Sequence, residues 1–329
     1  MTDRFDVLGI GNAIVDILSP VDDAFLDRHN MRKSAMQLIA QEEAERIYQD
    51  LQNPRQIAGG AVANSTVGVA ALGGKAAYIG KVRADTLGHV FKNDLAALGV
   101  QFQTPMTTSG PSTARSMIVV TPDGQRTMNT YLGACGQITA ADMDAAQLRH
   151  SKITFIEGYL WDLPALPPLL RQAAGLAHTH GNQVAFTLSD AWLIDRHRAT
   201  MHEFIREHVD ILFANEAELC SLYQNEFTQA LQLVARDCAI AAVTRSADGS
   251  VIVSGTERIA ITAAPTTVVD TTGAGDLYAG GFLFGLARGY PLERCGKIAS
   301  LCAAEIISHL GARPQADLMA YVQRQVALV

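Results

Sequence analysis

Residues 268–289, VVDTTGAGDLYAGGFLFGLARG, place two carboxylates, two threonines and a glycine-rich turn at the mouth of an apolar helical stretch, 277–287. Small residues there let a ligand approach the backbone. The unpaired N–H groups of Gly273, Ala274, Gly275 and Asp276 point at such a ligand with the positive end of a helix dipole, which makes an anion hole. Asp276 stands where it can take the proton of a hydroxyl attacking a phosphoryl group, while the amides stabilise charge on the transferred oxygens. An aspartate that only caps a helix needs no Gly-Ala-Gly before it. The chemistry indicated is phosphoryl transfer to an alcohol.

Other glycine motifs lead elsewhere. Gly9-Ile-Gly11-Asn-Ala-Ile14 begins like a dinucleotide fingerprint, but Ile14 occupies the third glycine position and a strand-like run follows. Residues 68–75, GVAALGGK, carry their lysine one residue too far for a phosphate loop and continue with Ala76 instead of Ser or Thr. Cys135, Cys220, Cys238, Cys295 and Cys302 form no C-x-x-C pair, so reduced core thiols are expected rather than a disulfide framework or a zinc site. His178 and His180 have no third ligand nearby and read as surface residues at a helix end.

The elements that must position Asp276 follow from the pattern of apolar runs. Short strand-like segments at 5–10, 76–79, 153–157, 184–187, 211–214 and 239–244 alternate with amphipathic helices, which predicts an α/β fold with a mainly parallel central sheet covered on both faces. Helices are expected over 87–98, closed by Gly99, and over 292–310, closed by Gly311. Two stretches, about 14–40 and 101–132, are strand-like without intervening helices, and Pro122-Asp123-Gly124 reads as a hairpin turn. Together they predict a small β lid over a site on the main sheet, inserted in one domain spanning 1–329. The 329 residues carry a formal charge of −7, with 48% apolar and 18% charged residues and no apolar run of membrane-spanning length. Neither a nucleic-acid nor a membrane partner is expected, and the cysteine use and acidic N-terminus point to the cytoplasm. With no basic surface, bound phosphate must be held by backbone dipoles and metal.

DTTGAGD followed by a glycine-containing apolar helix resembles the C-terminal signature of the ribokinase-like (PfkB) carbohydrate and nucleoside kinases. Further landmarks occur in order along essentially the whole chain: Gly11-Asn12…Asp16, Gly59-Gly60-Ala-Val-Ala-Asn64, Gly158 after a strand, Asn215-Glu-Ala-Glu218 and Val243-Thr244…Gly249. The resemblance implies a three-layer α/β/α core with a β lid, dependence on ATP and Mg²⁺, and phosphate transfer to a hydroxymethyl group. It implies that Asp16, with Asn12 beside it, and Asn64 bind substrate hydroxyls, with Gly59 and Gly60 letting the substrate lie against backbone. Asn215 and Glu218 match the element that organises Mg²⁺ and its waters, while Thr244 and Gly249, with Gly273 and Gly275, fall on the ATP side. Ser246 stands where many members have glycine. Arg126 of the lid hairpin either reaches the transferred phosphate on closure or is a solvated surface residue. Asp270 and Thr272 match positions near a monovalent-cation site in some members, so K⁺ is a further candidate.

Within the family the chain looks most like adenosine kinases, in GNAIVDI, FTLSDAW, VDILFANEAEL and CAAEIISHLGARP. Ala61 replaces the lysine that many ribokinase and phosphofructokinase members carry in this segment, and no cation lies in either substrate segment, which disfavours an acceptor bearing its own phosphate. Trp192 falls where an aromatic residue lies against a base, or else packs in the core. The expected substrate is a nucleoside, adenosine first and a free sugar second. A catalytically idle sensor of the same fold, and either a monomer or a homodimer, remain open.

Overall fold

The computed structural model describes residues 4–326. Fourteen strands occur in chain order: β1 (Phe5–Ile10), β2 (Ile14–Pro20), β3 (Met36–Leu38), β4 (Arg55–Ala58), β5 (Ala76–Ile79), β6 (Val100–Phe102), β7 (Ala114–Val120), β8 (Arg126–Tyr131), β9 (Ser151–Glu157), β10 (Gln183–Thr187), β11 (Ile211–Asn215), β12 (Ile240–Thr244), β13 (Ser250–Ser254) and β14 (Glu257–Ile261). They form a nine-stranded sheet ordered β14-β13-β12-β11-β10-β9-β1-β5-β6 and a five-stranded sheet ordered β3-β8-β7-β2-β4. The large sheet is parallel from β6 to β12, and only β13 and β14 run antiparallel, at its edge.

Alternation along the strands builds the three layers. Val7, Phe155, Ala185 and Ile211 join one hydrophobic cluster, whereas Leu8, Ile156, Phe186 and Leu212, each one residue on, join the other. Successive side chains of a strand point to opposite faces, so a sheet buried on both faces reads as a continuous apolar run. The first cluster also contains Val15, Ile17, Met117 and Val119 of the small sheet, so the lid shares its core with one face of the large sheet.

The helix Ala274–Ala287 packs against Ala61–Ala71 and Leu292–Ile306, and its glycines allow that approach. A Cβ at Gly280 would stand 2.6 Å from the Ser65 carbonyl oxygen, and one at Gly281 would stand 3.0 Å from Cα of Ala299. All five cysteines are unpaired, and among the described residues no helix is long and apolar enough to cross a membrane.

Five expectations need correction. The stretch 14–40 does contain a helix, Asp23–Arg28, because the Asp22 side chain caps it by accepting from the Phe25 amide. The glycine helix begins at Ala274, three residues earlier than its apolar run, because Gly273 takes a left-handed φ of 79° as its N-cap. The helix expected to reach residue 310 ends at Ile306, since the Ile307 carbonyl accepts from the amides of Val269 and Asp270 and the chain turns back toward the site. The lid takes a strand from outside the two foreseen segments, β4, which pairs with β2. β6 lies inside the second of those segments yet belongs to the large sheet, paired with β5.

Candidate active site

Asp276 occupies the first turn of the helix Ala274–Ala287, at the carboxyl ends of the parallel strands, where open α/β sheets bind ligands. Its Oδ2 accepts from Asn64 Nδ2 at 2.8 Å. Asn64 is buried on the helix Ala61–Ala71, whose N-cap Gly60 holds a φ of 95°. A Cβ at Gly60 would lie 2.4 Å from the Asn12 carbonyl oxygen, and one at Gly59 would lie 2.4 Å from Oδ2 of Asp16. The glycine pair is therefore what lets β2 and this helix entrance close around the Asp16 carboxylate. Alternation along β2 turns Val15 and Ile17 into the core and leaves Asp16 facing the site.

A cavity of about 830 Å³ opens on the other side of Asp276. Its walls include Asn215 and Glu218, then Thr244 and Gly249, with Ala274, Gly275 and Asp276 at its base. Asp16, Asn12, Gly59, Gly60 and Asn64 are absent from those walls, so Asp276 stands between the cavity and the cluster expected to hold the acceptor. The amide set there is smaller than predicted: Ala274 N–H donates to the Thr271 carbonyl at 3.2 Å. The first i to i−4 bond of the helix is made by Leu277, which leaves Gly275 and Asp276 ahead of the ladder, together with their cap Gly273.

A family profile described as pfkB family carbohydrate kinase matches residues 33–318. The chain belongs to the PfkB family. Its fold superposes with a TM-score of 0.91 on the crystal structure of adenosine kinase from Sinorhizobium meliloti, 48% identical over 98% of this chain and all of that one. It superposes equally, at 0.91, on a probable sugar kinase protein from Rhizobium etli CFN 42, 47% identical over 98% of this chain and 99% of that one. Adenosine kinase 2 of Arabidopsis thaliana is 24% identical over 93% of this chain and 94% of its own length. The protein is thus a PfkB kinase, with ATP as donor and an alcohol as acceptor.

In this PfkB kinase four carboxylates around the cleft bind protons more tightly than usual. Burial pushes Asp276 up to about 6, against the pull of the Asn64 amide and Arg313. Burial likewise raises Asp16 to about 7, partly offset by Arg313. Glu157 is raised to about 7 by burial, although Asn12 Nδ2 donates to it at 2.9 Å and the Val62 amide at 3.3 Å. Glu218 also rises to about 7 by burial.

Glu218 is no exposed helix acid. It forms a reciprocal cap with Asn215: Asn215 N and Nδ2 donate to its two oxygens at 2.9 and 2.7 Å, and Glu218 N donates to Asn215 Oδ1 at 2.8 Å. Glu218 lines the cavity and each of its oxygens accepts one bond from Asn215, so each has acceptor capacity left, which suits holding water of a Mg²⁺ ion. Among the described residues no group of three His, Cys, Asp or Glu could hold a metal ion alone, so Mg²⁺ fits only as an ion that brings phosphate oxygens and water as its other ligands.

K⁺ does not fit at Asp270 and Thr272. Asp270 already accepts from Thr272 N at 3.0 Å and Gly311 N at 2.8 Å, and Arg126 Nη2 sits 2.6 Å from its Oδ2. Arg126 Nη1 also bonds Thr272 Oγ1. The lid arginine, expected at the phosphate or in solvent, instead supplies the positive charge at this spot. Trp192 does not line the cavity: Arg196 covers its ring at 4.2 Å, and the aromatic residues on the wall are Tyr159, Phe213 and Tyr278. Ser246, in place of the family's glycine, adopts a φ of 51° in the turn that precedes Gly249.

Two groups at the site were missed in the sequence. Glu157 ends β9 just before Gly158 and touches Asn12, but a glutamate closing an apolar strand carries no distinctive signal. Arg313 enters from the C-terminal segment, donating to Asn64 Oδ1 and to the Ala58 carbonyl. The absence of a cation from the two substrate segments therefore does not mean absence from the site.

Proposed function

We propose that the protein transfers the γ-phosphoryl group of ATP to the hydroxymethyl group of a nucleoside, adenosine first. The observation that carries this reading is the position of Asp276, between a cavity of nucleotide size and the Asp16, Asn64 and Asn12 cluster. The acceptor's vicinal diol binds Asp16, whose two oxygens can accept both hydroxyls, and its hydroxymethyl group lies against Asp276. The acceptor oxygen forms a bond to the γ-phosphorus as the bond to the β–γ bridging oxygen breaks. Its proton passes to Asp276, and ADP leaves. Mg²⁺ supplies charge neutralisation on the phosphate oxygens. The amides of Gly273, Gly275 and Asp276 hold the transferred oxygens, Thr244 and Gly249 border the donor, and Asn215 with Glu218 orders the water between donor and protein.

Support for a nucleoside comes from the adenosine kinase at 48% identity. The probable sugar kinase at 47% identity keeps a free sugar as the second reading. ATP consumption with adenosine, inosine, guanosine, cytidine, ribose, fructose and fructose 6-phosphate separates the two. Adenosine should give the highest kcat/KM. Turnover confined to a sugar would replace the nucleoside reading, and binding of adenosine without any turnover would point to a sensor.

A further inference from the structure

Among the described residues Arg313 is the guanidinium that bonds a residue of the acceptor cluster, donating to Asn64, and it reaches that cluster from a segment distant in the chain. The segment that carries it is pinned on both sides. Asp270 Oδ2 accepts from Gly311 N at 2.8 Å, while Glu305 Oε1 accepts from Gln315 N at 3.0 Å and Ala316 N at 2.9 Å. From this fixed base Arg313 Nη1 donates to Asn64 Oδ1 and Nη2 to the Ala58 carbonyl, one residue before Gly59. Its Nε is buried without a partner.

A side-chain amide has one accepting and one donating end. With Asn64 Oδ1 committed to Arg313, Nδ2 must face Asp276, where it donates to Oδ2 at 2.8 Å and leaves Oδ1 for a substrate hydroxyl. We propose that Arg313 is a positioning residue for phosphoryl transfer: it sets the direction of the Asn64 amide and keeps a positive charge behind the Asp276 and Asp16 carboxylates. The assignment rests on the reading of Asp276 as the base. Without that charge, two acids in a poorly solvated cleft would hold protons at neutral pH, and a protonated base accepts none.

The surrounding charges agree in sign. Asp16 from β2, Asp94 from the helix Thr86–Ala97, Asp276 from the glycine helix and Tyr78 from β5 face Arg313, with Asp16 the strongest. Burial pushes the guanidinium down to about 10 against these partners. Arg313 lowers both Asp16 and Asp276, and it is the cation named against each among the described residues. Glu157, Glu218 and Tyr159 feel Asp276 from the remaining walls, and all three are acids.

The test compares Arg313→Gln and Arg313→Lys with the parent enzyme in kcat/KM for adenosine between pH 5 and 9. Arg313→Gln should move the acid limb up by about one pH unit, so that its loss is about fivefold larger at pH 6 than at pH 8.5. Arg313→Lys, which keeps the charge, should hold the limb near the parent position while lowering kcat. A loss equal at every pH, or a lysine variant shifted as far as the glutamine variant, overturns the assignment. Should Arg313→Gln fail to fold, a cycle decides: Arg313→Lys should cost less than about twofold in an Asn64→Ala background if it acts through Asn64, and additive losses overturn it. The ¹³C carboxyl titration of Asp276 in the ligand-free protein, assigned with Asp276→Asn, reads the same effect without turnover. Absence of product from every acceptor would strike the kinase reading alone, whereas an Asp276 titration unmoved by Arg313→Gln would strike this one.

Discussion

Asp270 and Asp276 flank the same turn, six residues apart, and their surroundings give them opposite proton affinities. Burial alone would raise both. At Asp270 the amide donors of Gly311 and Thr272, with Arg126 across the lid, outweigh burial and hold the carboxyl below its usual range. At Asp276 one side-chain amide and one guanidinium beyond it leave burial dominant, and the carboxyl rises to about 6. A carboxylate with several donors is an anchor. One with a single donor, its other oxygen uncommitted, is poised near neutrality, where proton transfer is effective in both directions. The contrast accords with the proposed mechanism, in which Asp270 holds the lid against the turn and Asp276 carries the chemistry.

Breaking the contrast at Asp276 should have the largest effect. Asp276→Asn keeps shape and loses the proton acceptor, so kcat should fall by about a thousandfold while adenosine affinity, read by calorimetry, stays within a few fold. Normal turnover in this variant would remove Asp276 from the base role.

Next is the anchor. Arg126→Gln leaves the nearly buried Asp270 carboxylate without its cation, and because Arg126 is itself one-fifth exposed the loss is moderate. The expected result is about a tenfold drop in kcat/KM and faster proteolysis at the 122–124 hairpin. An unchanged cleavage rate would dissociate Arg126 from lid closure.

The two aspartates should also affect stability with opposite sign. Folded Asp276 holds a proton at pH values where the unfolded chain has released it, as do Asp16, Glu157 and Glu218, each raised to about 7. Their contribution is present below about pH 4 and is lost as pH rises through 6 to 7. Asp270, lowered on folding, contributes stability above the ordinary aspartate range and loses it as pH falls below that range. At pH 7.5, Asp276→Asn should therefore raise the melting temperature of the ligand-free protein by about 1–3 °C, and Asp270→Asn should lower it. Shifts of the same sign would contradict the contrast.

The smallest effect concerns K⁺. With Arg126 at Asp270 and Thr272, replacing K⁺ by tetramethylammonium at constant ionic strength should change kcat/KM by less than about twofold. Specific stimulation by K⁺ would show that the ion, and not the guanidinium, serves this position.

The order of elements and the chemistry of the glycine turn were written in local pattern. Apolar runs of strand length marked six strands of the large sheet because both faces of that sheet are buried, and DTTGAGD stood out as a candidate anion hole and base because small residues, amide donors and an acid are contiguous in the chain. Gly59 and Gly60 entered through the family resemblance, and packing supplies the reason for glycine there, since only glycine admits the contacts with Asp16 and Asn12.

Residues that depend on distant partners were not readable in that way. Arg313 bonds the Ala58 carbonyl across 255 positions, and nothing in GARP distinguishes it from a solvated arginine. Arg126 is an ordinary hairpin residue until the lid sets it beside Asp270, 144 positions later in the chain. Trp192 had the type suited to stacking, but its helix turns the ring to Arg196 and leaves Tyr159 on the cavity wall. The extended segment at β4 became part of the lid only because β2 offered it an edge. Residue type and spacing determine which local backbone and which reactive groups exist. Proton affinity and the identity of the neutralising cation depend on burial and on charges brought from elsewhere in the chain, and these arise only when the elements pack.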